Sequence, residues 1–406
     1  MNDITGMTPQ EAPQATATAR KRASIGLPKC ENPAEKRFPL TPEAVGALVS
    51  QGFEVVMESG GAASIHYSDS AYVKAGATIG SRRDTLQADI VIHLAPLPVT
   101  DIRQLRRGAM LLSLANFSRP SAAEVIKELL ARRVINIAID LIKDEAGNLP
   151  FGDILSEING RSAMTVAAAM LADPVNGKGI LLGGIAGVVP CEVTVIGSCL
   201  AACAAARSAI GLGAVVRMFD DDVYRLRTAV RQLGNGVIGS SIHPHALENA
   251  LRTADVVVVT DRTTALPLDA RIECLLKRRV LLFDLSPCPG RCFPGVATVD
   301  LGEAGGCDGG SIYSLMNRRG ESGGWRHTCF VNAGSAVPRT TAMALSDTFV
   351  TLLNHISGCE GQATALPLTP GLQGAALTFM GKAVNEHVAR LAGIRFTDIR
   401  ILLSLS

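Results

Sequence analysis

Residues 193–220, VTVIGSCLAACAAARSAIGLGAVVRMFD, constrain the fold of this chain more than any other stretch. They read as a strand, a tight turn, a helix of small residues and a second strand ending in an acid. This is a dinucleotide-binding pattern: phosphates sit on the helix N-terminus, and the acid takes a ribose hydroxyl. A strand-helix-strand unit of this kind belongs to a parallel sheet with helices on its faces. The glycine fingerprint is incomplete, however. Where G-x-G-x-x-G is expected, the chain has Gly197, Ser198, Cys199, Leu200, Ala201 and Ala202. The stretch specifies a nucleotide-enzyme fold and puts the nucleotide itself in question.

A length of 406 residues exceeds one ordinary core, so two domains are expected. The residues are 47% hydrophobic but only 4% aromatic, as small aliphatics in alternating strands and helices require. A formal charge of +2 gives no electrostatic reason to expect nucleic acid or a membrane surface as partner. No apolar run approaches the roughly 18 to 20 residues that span a bilayer. Residues 1–22 are rich in Ala, Thr, Gln and Pro, end in Arg20-Lys21-Arg22 and lack the apolar centre of a signal peptide. A disordered tail is expected there. The ten cysteines are scattered and no export signal precedes them, so reduced thiols and a cytoplasmic location are expected.

Along the chain, strands are expected at Ala23 to Leu27, Glu54 to Met57, Ile90 to Leu94, Met110 to Leu114 and Val134 to Ile139, with helices between. Thr41-Pro42 reads as an N-cap followed by proline at the first helical position. A long Ala/Met/Val-rich helix opens near Leu155 and ends near Asp173-Pro174. It reads as an interdomain helix, with Glu157, Gly160 and Arg161 stabilising it. After a Gly-rich loop, strands follow at Val193 to Ile196, Val215 to Phe219, Val256 to Val259, Val280 to Leu285 and Cys329 to Val331. The unbroken run Val256-Val257-Val258-Val259 marks a strand buried on both faces. Residues 300–326 read as loop. A helix follows Pro338, and the last forty residues read as helical. Long helices on both sides of the nucleotide-type domain imply that the chain returns to the first domain, which is then discontinuous. The expected segments are a first domain of 23–155 plus 345–406 and a dinucleotide-binding domain of 156–344.

Several ordered stretches resemble the family of alanine dehydrogenase and the nucleotide-binding subunit of nicotinamide nucleotide transhydrogenase. They are Ile25-Gly26-Leu27-Pro28-Lys29, Lys36-Arg37 with Leu40-Thr41-Pro42, Val56-Met57-Glu58-Ser59-Gly60, Ser156-Glu157 with Gly160-Arg161, Gly177-Lys178-Gly179, the Gly197 turn, and Ala336-Val337-Pro338-Arg339-Thr340. The resemblance runs from about Ser24 to about Ile394. It implies an α/β protein with two Rossmann-like doubly wound parallel-sheet domains. The first is discontinuous, long helices join the two, and an active site lies in the cleft between. It also implies a cytoplasmic homo-oligomer, a dimer or hexamer, that handles a small amino acid or keto acid with NAD.

Residue by residue, the resemblance leaves a mixed set. Arg37 matches an arginine that grips the substrate carboxylate, a task suited to the planar guanidinium fork; the bland alternative is a solvated loop arginine. Leu94 falls where the family has a substrate-binding lysine. His93 lies next to it, but adjacent strand residues face opposite sides, so His93 replaces that lysine only if the strand shifts. Asn116 stands at the catalytic histidine, and an amide is no general base near neutral pH. Cys288 stands at the catalytic aspartate, either as a thiol of lowered pKa or as an inert residue in a Pro-rich turn. Cys288, Cys292, Cys307, Cys329 and His327 match no compact metal-binding spacing, so no metal is expected.

In the nucleotide turn, Cys199 adds a Cβ and a sulfur where glycine lets the backbone approach a pyrophosphate. Gly197 and Ser198 keep the turn, and Asp220 stands in the ribose position. With Asp221 and Asp222 behind it, Asp220 disfavours a 2′-phosphate and so favours NAD over NADP. Arg225 matches a position near the adenine ribose, Asn332 one facing the nicotinamide, and Ser156 one at the cofactor cleft.

Two functions follow from this set. One is a diverged NAD-dependent oxidoreductase of an amino or keto acid, with ordinary alanine oxidation opposed by Leu94, Asn116 and Cys288. The other is a non-catalytic or repurposed ligand- or partner-binding homologue, a pseudoenzyme with an impaired NAD site.

Overall fold

The computed structural model describes residues 23–115, 122–261, 274–287, 289, 292–293, 296–303, 327–357 and 370–404. The expected tail, Asn116 and Cys288 lie outside them, as does most of 300–326. Among the described residues, fifteen strands form two sheets. The first contains β1 (Ser24–Leu27), β2 (Glu54–Glu58), β3 (Thr78–Gly80), β4 (Ile90–Ile92), β5 (Met110–Ser113), β6 (Ile135–Ala138), β14 (Ala376–Phe379) and β15 (Lys382–Ala383), in the order β15-β14-β6-β5-β4-β1-β2-β3. The second contains β7 (Glu192–Ile196), β8 (Val215–Asp220), β9 (Val237–Ser241), β10 (Val256–Val259), β11 (Leu281–Asp284), β12 (Ala297–Asp300) and β13 (Thr328–Val331), in the order β12-β13-β11-β10-β7-β8-β9.

Each sheet is doubly wound. In the first, the order reverses between β1 and β4, which pair in parallel as Ile25 with Ile90 and Gly26 with Val91. In the second it reverses between β7 and β10, where Val193 to Ile196 pair with Val256 to Val259. Helices on both faces leave no solvated side to a central strand, which is why β10 is four consecutive valines, all fully buried.

The helix Pro42–Ser50 begins as its sequence dictates: the Thr41 hydroxyl accepts from the Ala44 amide at 3.5 Å, and Pro42 occupies the first turn. The interdomain helix is Pro150–Ala172. Gly160 is obligatory there, because a Cβ would sit 2.2 Å from the Ala201 carbonyl oxygen of the neighbouring helix Leu200–Gly211. The small residues from Ala201 to Ala206, five alanines and Cys203, have the same cause, since two helices this close have no room for larger side chains. Glu157 and Arg161 form an i,i+4 ion pair at 2.6 Å on the outer side.

The chain does return. The helix Pro338–Ser357 sends Leu345, Phe349 and Leu353 into the first core, where Phe349 meets Phe151 edge-on at 4.8 Å. The expectation of helix over the last forty residues is corrected in part. Residues Ala376–Phe379 and Lys382–Ala383 form an antiparallel hairpin, turned by Met380 and Gly381 at φ +49° and +78°. The reason is tertiary: β6 has an open edge, and β14 pairs with it, the Thr378 hydroxyl donating to the Val134 carbonyl at 2.8 Å. Strands β3, β9 and β12 also escape the sequence pattern, being short or exposed at sheet edges.

Candidate functional site

In an open parallel sheet the loops beyond the carboxyl ends of the strands form the binding crevice, at the point where strand order reverses. Both sheets aim those ends into one cleft of about 590 Å³. Its first-domain wall is built from residues following β1 (Asn32 to Arg37), β4 (Leu94 to Pro96), β5 (Leu114, Ala115) and β6 (Asp140). The second-domain wall follows β7 (Cys199, Ala201), β10 (Asp261), β11 (Asp284 to Pro287), β12 (Asp300) and β13 (Val331, Asn332). The interdomain helix supplies the floor through Ser156 and Asn159.

Arg37 reaches this cleft but is already engaged. Its Nε donates to Glu35 Oε1 at 2.7 Å and its Nη2 to Glu35 Oε2 at 2.5 Å, and the two side chains are only 10% and 8% exposed. Burial alone works against the guanidinium charge, but Glu35, with Asp300 and Asp140 further off, more than offsets it and holds the group charged. Asp140 accepts from the Ala115 amide at 2.8 Å, and burial pushes its carboxyl above the usual range.

Leu94, at the lysine position, lines the cleft and is buried. His93 is not among the lining residues. Its Nδ1 donates to the Ala95 carbonyl at 2.6 Å, its Nε2 is buried without a hydrogen-bond partner, and burial lowers its pKa. The Nε2 is therefore an unprotonated acceptor facing protein, not ligand.

On the opposite wall, Gly197 has φ +111°, and a Cβ there would lie 2.2 Å from the Thr260 hydroxyl. No residue but glycine fits this turn. Ser198 donates its hydroxyl to Asp220 at 2.5 Å, and Asp220 also receives the Asp222 amide at 2.8 Å. Asp222 has turned aside to cap the helix Val223–Leu233, accepting from the amides of Tyr224 and Arg225. Asp220 is thus bonded to the turn, while Asp222 is spent on the helix cap. Cys199 is the N-cap of the helix Leu200–Gly211 and makes no side-chain cap. Burial first, then the carboxylate of Asp261, raises its thiol to about 11, so it stays protonated at neutral pH. Asn332, in a left-handed conformation, donates from Nδ2 to the Ala34 carbonyl at 3.1 Å and to Asp300 at 3.0 Å, tying the two walls together. Arg225 pairs with Asp261.

Among the cleft residues missed in the sequence, three stand out: Glu35, Asp140 and Asp261. Each carried a signal. Glu35 lies two places before Arg37, and the other two stand just past the ends of parallel strands. Among the described residues the lining therefore holds Glu35, Asp140, Asp153, Asp261, Asp284 and Asp300 against the single cation Arg37. Among the described residues no group of three or more His, Cys, Asp or Glu side chains is placed to hold a metal ion. Asp220 is bonded to the turn through Ser198, and Asp261 brings a carboxylate to Cys199 on the other side of it, a charge that does not fit an anion at the start of the helix Leu200–Gly211.

The sequence matches the model of the alanine dehydrogenase/PNT N-terminal domain over residues 26–158 and that of the C-terminal domain over residues 163–386. It is 31% identical to the alanine dehydrogenase of Geobacillus stearothermophilus over 388 residues, covering 93% of this chain and 99% of that protein. It is 29% identical to the alanine dehydrogenase of Bacillus subtilis over 382 residues, covering 92% and 95%. In structure it is similar to an L-alanine dehydrogenase (TM-score 0.77, 24% identity, 91% and 98% covered). It is also similar to a transhydrogenase from Sinorhizobium meliloti (TM-score 0.70, 21% identity, 90% and 99% covered).

Proposed function

The chain belongs to the alanine dehydrogenase/PNT family, and from that premise we propose that it is a diverged oxidoreductase acting on a small amino or keto acid, with NAD the dinucleotide of its second domain and ordinary alanine dehydrogenation not its reaction. The observation that supports this reading is convergence: Arg37, Ser156 and Asn332, drawn from three distant segments, line one cleft. In this reading Arg37 orients a carboxylate, and its exchange from Glu35 to the ligand makes binding selective for acids able to compete with an internal one. Asp220 supports NAD over NADP. Leu94, Asn116 and Cys288 stand at the family's lysine, histidine and aspartate positions, so a general base for amino-acid oxidation has to come from elsewhere. Asp140, whose raised pKa brings it towards a proton-transfer role, is one such group.

A homo-oligomer fits the same reading. The segment after the interdomain helix exposes Leu181, Ile185, Val188 and Val189, the last at 86%, an apolar surface of the kind that a second copy covers. A cytoplasmic location accords with the ten scattered cysteines, whose spacing matches no disulfide framework.

The test is a titration with NADH, followed by assay with a panel of amino and keto acids. Saturable turnover with an acid other than alanine is expected. Absence of binding at millimolar NADH, where about −4 kcal/mol of binding free energy registers, removes this reading. The non-catalytic homologue then takes its place, favoured by the closed Arg37–Glu35 pair.

A further inference from the structure

The dinucleotide turn faces a charge of its own. Residue 261 stands at the carboxyl end of β10, the strand beside β7 at the reversal of strand order. Thr260 packs directly on the turn, its hydroxyl occupying the space beside Gly197. Asp261 follows in a left-handed conformation, φ +57°, which an aspartate tolerates better than most residues. That conformation aims its carboxylate at Arg225, across from the first turn of the helix Leu200–Gly211, while Cys199 and Ala201 at that helix start share the cleft lining with it. Its side chain is three-quarters buried, 25% exposed. A helix N-terminus at this position otherwise offers free amides to an anion.

We propose that Asp261, held by Arg225, acts as a built-in competitor of phosphate at the dinucleotide turn and sets the specificity of this crevice against diphosphate-bearing ligands. The inference rests on the reading that a nucleotide enters this crevice. An incoming pyrophosphate meets a like charge beside the helix start on which it would dock, on a carboxylate three-quarters buried where solvent screens that repulsion only in part. Arg225, the cation available to receive it, is taken. A nucleoside without phosphates meets neither obstacle. Asp261 thus discriminates by repulsion, the second of the two ways in which a site achieves selectivity.

The experiment is a calorimetric titration of the full chain and of Asp261→Asn with three probes: NADH, ADP and adenosine. The variant keeps the shape and the left-handed tolerance while removing the charge. The expected result is at least a tenfold gain in affinity for NADH and ADP, with adenosine unchanged, and no gain in Asp261→Glu, which retains the charge. Should the Asn variant fail to fold, Asp261→Gly, which φ +57° accommodates, gives the same comparison. Equal affinities for NADH and ADP in parent and variant overturn the inference and leave the dinucleotide reading intact. An equal gain for adenosine also overturns it, because space and not charge then limits entry. If neither protein binds any of the three, the dinucleotide reading falls and the inference with it. If only the variant binds NADH, the inference stands, and NAD dependence of the unmodified chain is what fails.

Discussion

The two walls of the cleft carry the same device with the signs reversed. In the first domain a cation, Arg37, faces the cleft and is closed off by its neighbour Glu35. In the second an anion, Asp261, faces the cleft and is held by Arg225. The difference lies in burial. The Arg37–Glu35 pair is nearly dry, while Arg225 is 47% exposed. A buried pair is a poor source of net stability but a severe loss when halved; an exposed pair contributes little either way. The first wall is therefore structurally committed to its charge pair, whereas the second can change its pair with little effect on folding.

The largest test of this contrast is Arg37→Met. It leaves Glu35 buried without its ion-pair partner, and a loss of about 3 to 5 kcal/mol in urea unfolding is expected. The double variant Glu35→Gln/Arg37→Met should recover a large part of that loss. A double variant as unstable as the single one would show that packing, not charge, is what Arg37 supplies. Next in size is Gly197→Ala, which combines φ +111° with a collision at Thr260. About 2 to 3 kcal/mol, read as a lowered Tm, is expected.

A smaller effect concerns His93. Its folded pKa is depressed, so the unfolded chain binds the proton more readily. Its contribution is complete above the unfolded value of about 6.5 and declines as pH falls below it. Relative to His93→Gln, the parent should lose stability below pH 6.5 and hold a constant difference above pH 7. A difference flat from pH 5 to 8 contradicts this burial. The smallest effect is expected for Arg225→Met, under about 1 kcal/mol, with the exposed ion pair screened by salt. A loss as large as that of Arg37→Met would erase the distinction between the two walls.

Much of the scaffold was legible in the sequence because its signals are local. Gly197 requires a turn that only glycine makes, Thr41-Pro42 starts a helix, and four valines mark a strand covered on both sides. The C-terminal hairpin was misread because Ala376–Phe379 has a strand's environment only once β6 offers it an edge. The site was half legible. Arg37, Ser156 and Asn332 could be named, and they do meet in the cleft. Their hydrogen-bond partners were less legible: Glu35 is a local neighbour of Arg37, but Asp300 meets Asn332 only through the pairing of β12 with β13, and Ala34 meets it only across the two domains.

The order of elements, the parallel sheets and the return of the chain were set by residue pattern alone, since burial periodicity and turn chemistry act over a few positions. Which charge faces which was decided by the tertiary structure. Electrostatic pairing depends on distances of a few ångströms between segments far apart in the chain, as between Asp261 and Arg225 or Asp300 and Asn332. No spacing along the sequence encodes those distances.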